Sequence, residues 1–207
     1  MIRVLDSGFV VTAVEEAGWP TADVPEIAFV GRSNVGKSSM INALTGRRKL
    51  VRVSNTPGRT RTLNFFDVLL ERGEHRRTLR LADLPGYGFA KVSRTERASW
   101  ERMITTYLER RTSLRGVVAI VDAEVGATEE DVRTLAYLVS AGRRVLVAAT
   151  KLDRLGKAKR KPRLAAIAET LSVPRDTVLG FSATEKVGVP EVWESLWVAT
   201  SSGVLDC

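Results

Sequence analysis

The chain alternates short apolar runs with amphipathic stretches whose apolar positions recur every three to four residues, and these two periods assign the elements. Residues 27–30 (Ile27-Ala28-Phe29-Val30) are a compact apolar run that stops at Gly31 and predicts a buried strand. A helix is predicted over 37–44, closed by Gly46, because glycine accepts the left-handed conformation that ends helices. Residues 63–70 and 77–81, joined by a turn at Gly73, predict an antiparallel hairpin. Residues 95–112 predict a helix whose Trp100, Met103, Ile104, Tyr107 and Leu108 fall at helical spacing and read as core. Apolar runs at 117–121, 145–149 and 178–181 predict strands, and 131–140, 163–171 and 189–198 predict helices. Residues 10–14 predict an extra N-terminal strand ahead of a loop through Gly18-Trp19-Pro20. The polar segment 47–62, broken by Pro57-Gly58, and the segment Pro85-Gly86-Tyr87-Gly88 read as mobile loops.

Alternating strands and helices predict a three-layer α/β fold: a mostly parallel six-stranded sheet with one antiparallel edge strand and helices on both faces. No repeat, long linker or low-complexity tract interrupts the pattern, so one domain over 23–200 is expected, preceded by an extension over 1–22. In such sheets ligands bind beyond the carboxyl ends of the strands.

Composition narrows the setting. No stretch approaches the roughly 20 apolar residues of a membrane helix, and the N-terminus lacks a secretory pattern, so a cytoplasmic protein is expected. The single cysteine, Cys207, excludes an internal disulfide and a cysteine-built zinc site. The one histidine, His75, sits in a turn composition and reads as solvated. The net charge of +8 is mostly arginine excess and favours a polyanionic partner, the alternative being basic residues spread evenly over the surface.

The segment Gly31-Arg32-Ser33-Asn34-Val35-Gly36-Lys37-Ser38 fits the phosphate-binding pattern G-x-x-x-x-G-K-[ST], and it lies between a predicted strand and a predicted helix. Its backbone N–H groups and the helix N-terminus suit phosphate oxygens. Lys37 is expected to reach the terminal phosphates and Ser38 to ligate Mg²⁺. Asp83-Leu84-Pro85-Gly86 follows a strand: Asp83 can hold a water of the Mg²⁺ shell, and Gly86 can offer its N–H to a γ-phosphate. Thr150-Lys151-Leu152-Asp153 also follows a strand, and the Asp153 carboxylate can accept from both guanine N1–H and the exocyclic amine. Adenine would leave that carboxylate unpaired, a cost of roughly 1–3 kcal/mol. The Lys151 stem suits the base face, and the Phe181-Ser182-Ala183 stretch can offer a backbone N–H to guanine O6. In the loop Gly58-Arg59-Thr60-Arg61-Thr62, the Thr60 hydroxyl is a candidate second Mg²⁺ ligand, with Thr62 its rival.

In this order the motifs resemble the TrmE-Era-EngA-EngB-septin-like GTPases, and more narrowly the EngB family, also called YihA or YsxC. The resemblance runs from about Phe9 to Trp197. Its specific stretches are 31–39, Pro57-Gly58-Arg59-Thr60, Leu63-Asn64-Phe65-Phe66 and the run Asp83-Leu84-Pro85-Gly86-Tyr87-Gly88-Phe89-Ala90-Lys91-Val92. It implies a P-loop GTPase fold and a Mg²⁺-dependent GTP/GDP switch that hydrolyses GTP. It further implies Mg²⁺ held by Ser38 and Thr60, base recognition by Thr150, Lys151 and Asp153, and a role in assembly of the large ribosomal subunit, with a link to cell division and septation; a monomer is expected. A division-linked scaffold with incidental RNA binding is the alternative. Thr150 stands where most GTPases have asparagine, so base affinity rests more on Asp153.

Tyr87 takes the place of the water-positioning glutamine of many GTPases, and slow intrinsic turnover is expected. Lys37, Thr60, Gly86 and Asn34 are then the catalytic candidates. Asn34 matches an asparagine of K⁺-activated GTPases, although a structural asparagine in a tight turn explains it equally. Arg47-Arg48-Lys49, Arg52 and the segment Lys157-Ala158-Lys159-Arg160-Lys161-Pro162-Arg163 are the candidate contacts to ribosomal RNA phosphates.

Overall fold

The computed structural model describes residues 1–47, 50–51, 62–87 and 94–201. Seven strands form one sheet: β1 (Arg3–Ala13), β2 (Glu26–Gly31), β3 (Leu63–Arg72), β4 (His75–Asp83), β5 (Leu114–Asp122), β6 (Val145–Thr150) and β7 (Val178–Gly180), in the order β1-β3-β4-β2-β5-β6-β7. The helices are α1 (Lys37–Thr45), α2 (Arg94–Arg110), α3 (Glu129–Ser140), α4 (Lys157–Thr170) and α5 (Val189–Ser201). β4, β2, β5, β6 and β7 pair in parallel. Most residues of β2, β5 and β6 are buried on both faces, which is why these strands read as unbroken apolar runs.

One cluster, with Phe29, Ile41, Leu44, Trp193 and Trp197, fills the face under α1 and α5. Two others, with Tyr107 and Leu138 and with Leu135 and Ile167, fill the face under α2, α3 and α4. Tyr107 and Leu108 are buried and Met103 and Ile104 pack against them, as the helical spacing predicts; the Trp100 side chain lies outside the described residues.

The α/β architecture matches expectation, and two details differ. The sheet has seven strands because the N-terminal segment pairs antiparallel with β3 from Arg3 to Ala13. Strand β3 is therefore covered, and β1 is the edge. Only 10–14 is legible as a strand because β1 buries little besides Ser7 and Ala13, so main-chain pairing rather than an apolar stripe holds it. Bulges at Val4/Asp6 and Phe9/Val11 shift its alternation further. Helix α4 begins at Lys157, not 163, and runs through Pro162. Proline removes one hydrogen bond, to the carbonyl four residues earlier, and both Pro162 and Ala158 are exposed, so water can take that carbonyl.

Candidate nucleotide-binding site

The carboxyl ends of β2, β4, β5, β6 and β7 meet at one edge of the sheet, and the residues of the phosphate-binding, Asp83–Gly86, Thr150–Asp153 and Phe181–Ala183 motifs lie there or in the segments that follow. At the phosphate end, β2 stops at Gly31 and the chain turns through Asn34 (φ 62°) and Gly36 (φ 100°) into α1. Asparagine visits this left-handed region more readily than most residues, which gives Asn34 a conformational reason of its own. Gly36 precedes Lys37 with no side chain capping the helix. The first-turn N–H groups of α1 are thus without the usual serine or aspartate acceptor, an arrangement that suits a bound anion.

Lys37 Nζ forms an ion pair with the Asp83 carboxylate, and both side chains are nearly buried. Ser38, half-buried, follows Lys37 in the same turn of α1. Leu84 N donates to Phe29 O (3.1 Å) and Tyr87 N to Gly31 O (3.2 Å), while Ser33 N donates back to Tyr87 O (3.0 Å). The segment 84–87 is therefore sewn to the phosphate loop. A Cβ on Gly86 would stand 3.0 Å from Ser33 N, tighter than ordinary contact, so glycine lets the two backbones approach this closely without a shift. The Ser33 hydroxyl is buried without a hydrogen-bond partner among the described residues. A buried unpaired hydroxyl beside uncapped N–H groups is the chemistry of a site built for a polar ligand.

The Tyr87 hydroxyl turns away from the loop and donates to Asp131 Oδ1 (2.7 Å) at the start of α3. Asp131 also closes the capping box with Thr128. Burial, followed by the Asp131 charge, pushes the Tyr87 phenol above its ordinary pKa and keeps it neutral.

At the base end, Lys151 adopts φ 58° and starts a single 3₁₀ turn, Leu152–Arg154, that carries Asp153. Lys151 Nζ is held by Asp122 Oδ2 (2.6 Å), at the end of β5. Asp122 Oδ1 in turn accepts from Glu124 N (2.8 Å). The Ser182 hydroxyl donates to Asp153 Oδ1 (2.6 Å) and accepts from Glu185 N (3.0 Å). Phe181 is buried, and its carbonyl accepts from Leu152 N (3.1 Å). Ser182 N is committed to Val187 O (3.0 Å), which leaves the Ala183 N–H as the candidate donor to guanine O6. Thr150 is buried, and its hydroxyl faces the Val35 and Val121 carbonyls, not open space. It ties the phosphate loop to β6.

A family described as 50S ribosome-binding GTPase matches residues 26–151. The probable GTP-binding protein EngB of Myxococcus xanthus is 66% identical over 196 residues, covering 95% of each chain. The chain belongs to the EngB family of 50S ribosome-binding GTPases. A solved structure of a probable EngB superposes with a TM-score of 0.64 at 24% identity, covering 86% of this chain and 99% of that one. Era, solved in complex with MgGDPNP and a stretch of 16S ribosomal RNA, superposes with a TM-score of 0.67 at 24% identity, over 85% of this chain and 56% of that one. These two likenesses place the fold.

Within this EngB-family site the structure brings together Gly31, Arg32, Ser33, Asn34, Val35, Gly36, Lys37, Ser38, Asp83, Leu84, Pro85 and Gly86 at one end, and Thr150, Lys151, Leu152, Asp153, Phe181, Ser182 and Ala183 at the other. Thr62 is half-buried at the start of β3. Gly58, Arg59, Thr60 and Arg61, the basic residues Arg48, Lys49 and Arg52, and the stretch 88–92 lie outside the described residues. Asp122, Asp131 and Glu185 were not anticipated, and Arg160 was anticipated only as a contact to RNA phosphates. Asp122 alone had a signal, an acid directly after the apolar strand Val117-Val118-Ala119-Ile120-Val121.

Proposed function

We propose that this chain binds GTP and GDP with Mg²⁺, hydrolyses GTP slowly, and acts as a nucleotide-controlled switch at the large ribosomal subunit during its assembly, with a consequent tie to cell division. In this reading residues 23–200 are the GTPase unit, and 1–22 form an extension whose strand lengthens the sheet. The observation that carries the proposal is the juxtaposition, on one sheet edge, of an uncapped helix N-terminus beside Lys37 with a buttressed Asp153 carboxylate.

Asp153 keeps one carboxylate oxygen outside its bond to Ser182, and the pair suits the N1–H and amino group of guanine. Lys37 is the cation for the terminal phosphates; on nucleotide binding it exchanges its partner, Asp83, for them. Ser38 and the freed Asp83 carboxylate then provide hard oxygen donors of the kind Mg²⁺ takes beside phosphate, with Thr60 the proposed second protein ligand. When bound, Mg²⁺ neutralises charge on the phosphates. For K⁺, Asn34 offers one side-chain oxygen and its left-handed backbone gives the residue a structural reason of its own, so no step is assigned to K⁺.

Slow turnover is supported by Tyr87, whose hydroxyl is directed at Asp131 and offers no amide to orient water. Action on the ribosome is supported by the family to which the chain belongs and by its charge of +8. Two measurements test the reading. GTP and GDP should bind at least tenfold tighter than ATP, and protein loaded with a non-hydrolysable GTP analogue, but not with GDP, should pellet with large ribosomal subunits. Equal affinity for the two purines would sink the base assignment. Pelleting indifferent to nucleotide would sink the switch.

A further inference from the structure

One side chain outside every motif grips both halves of the base end. Arg160, in the second turn of α4, donates from Nε to the Leu155 carbonyl (3.0 Å), which closes the 3₁₀ turn carrying Asp153. Its Nη1 and Nη2 donate to the two Glu185 carboxylate oxygens at 2.7 and 2.8 Å. Glu185 sits in the turn after β7, and its N–H donates to the Ser182 hydroxyl that in turn donates to Asp153. The hydrogen bonds form a closed ring: the Asp153 turn, Arg160, Glu185, Ser182 and back to Asp153.

We infer that Arg160 and Glu185 are positioning residues for guanine specificity, holding the Asp153 carboxylate in the orientation that meets the exocyclic amine of the base. This rests on the base assignment proposed above. The geometry is a two-point arginine–carboxylate fork, which fixes direction as well as distance, unlike a lysine contact. Only 17% of the Arg160 side chain is exposed, so the fork is shielded on one side, and its loss leaves Ser182 and Asp153 free to turn together. The Arg160 hydrogen bonds also hold the Glu185 carboxyl below its usual pKa, so the pair stays ionised at neutral pH. Outer partners that orient metal ligands commonly change affinity by about 10- to 100-fold, and the lower end of that range is expected for this carboxylate. Arg160 was expected among contacts to RNA phosphates; its commitment to Glu185 and Leu155 gives it this different task.

The test compares GDP with IDP, which lacks only the 2-amino group, in Arg160→Gln, Glu185→Gln and the double variant. GDP dissociation constants should rise about tenfold and IDP constants about threefold or less, narrowing the ratio between them, and the double variant should lose little more than either single one. Arg160→Lys, which keeps charge without the fork, should fall between. Circular dichroism and thermal melting confirm that each variant is folded. A GDP-to-IDP ratio unchanged in folded variants overturns the inference while leaving guanine recognition standing. A native chain with no preference for GDP over IDP overturns both.

Discussion

Thr150 offers the sharpest separation between two jobs that sequence position alone cannot distinguish. Thr150→Val keeps the shape and replaces the hydroxyl by a methyl group. Thr150 is 3% exposed, and its hydroxyl faces the Val35 carbonyl in the phosphate loop and the Val121 carbonyl of β5, the latter at 3.2 Å. One hydroxyl proton serves the pair, so the substitution removes one buried hydrogen bond and leaves an acceptor unpaired, a cost of about 1–3 kcal/mol. At about 1.4 kcal/mol per tenfold, the full amount on binding would be roughly 5- to 150-fold in Kd. Part of the cost is taken by relaxation of the free loop, so a rise of about tenfold is expected. Because the damage passes through Val35 and the phosphates, GDP and IDP should weaken by the same factor. Fluorescent-nucleotide competition gives both constants on one preparation. Loss confined to GDP, with IDP untouched, would refute the loop-tie reasoning and restore Thr150 as a contact to the exocyclic amine of the base.

Three further outcomes follow from the same geometry. Gly36→Ala forces a side chain onto φ 100° and sets its Cβ 3.4 Å from Thr150 Oγ1, so about 1–2 kcal/mol should be lost and Tm should fall by roughly 2–8 °C, with weaker GDP binding by calorimetry. Arg77→Ala removes a guanidinium that lies 4.4 Å over the Trp197 ring and donates to Thr200 and Ser201 at the end of α5. It should cost about 2 kcal/mol in urea denaturation and leave nucleotide affinity unchanged. Tyr87 and Tyr107 both have phenols raised by burial, so the folded chain holds protons that the unfolded chain releases near pH 10. Stability is full below that pH and should fall above it by about 1.4 kcal/mol per pH unit for each phenol. Tyr87→Phe should flatten the slope by one phenol's share, and an unchanged alkaline melting profile would contradict the burial.

What the sequence reveals divides along a physical line. Strands β2, β5 and β6 are legible because burial on both faces demands consecutive apolar residues, and the 31–38 loop is legible because one stretch of backbone does its work. Edge strand β1 is mostly unread because main-chain pairing leaves no stripe, and the start of α4 is hidden by Pro162, which an exposed turn tolerates. At the site, the main chain positions the residues of the motifs, but side chains from distant elements orient them. Tyr87 with Asp131, Lys151 with Asp122, and Arg160 with Glu185 are separated by 25 to 44 residues, and no spacing rule connects them. Each pair became visible only when the sheet had brought its strand ends together. The motif therefore indicates which ligand this edge can take, and the pairs that escape it decide how firmly Lys151 and Asp153 are aimed. Variants at Glu185, which leave the Asp153 carboxylate in place and change only its support, are consequently a stricter test of the proposed guanine recognition than removal of Asp153 itself, and variants at Asp122 do the same for Lys151.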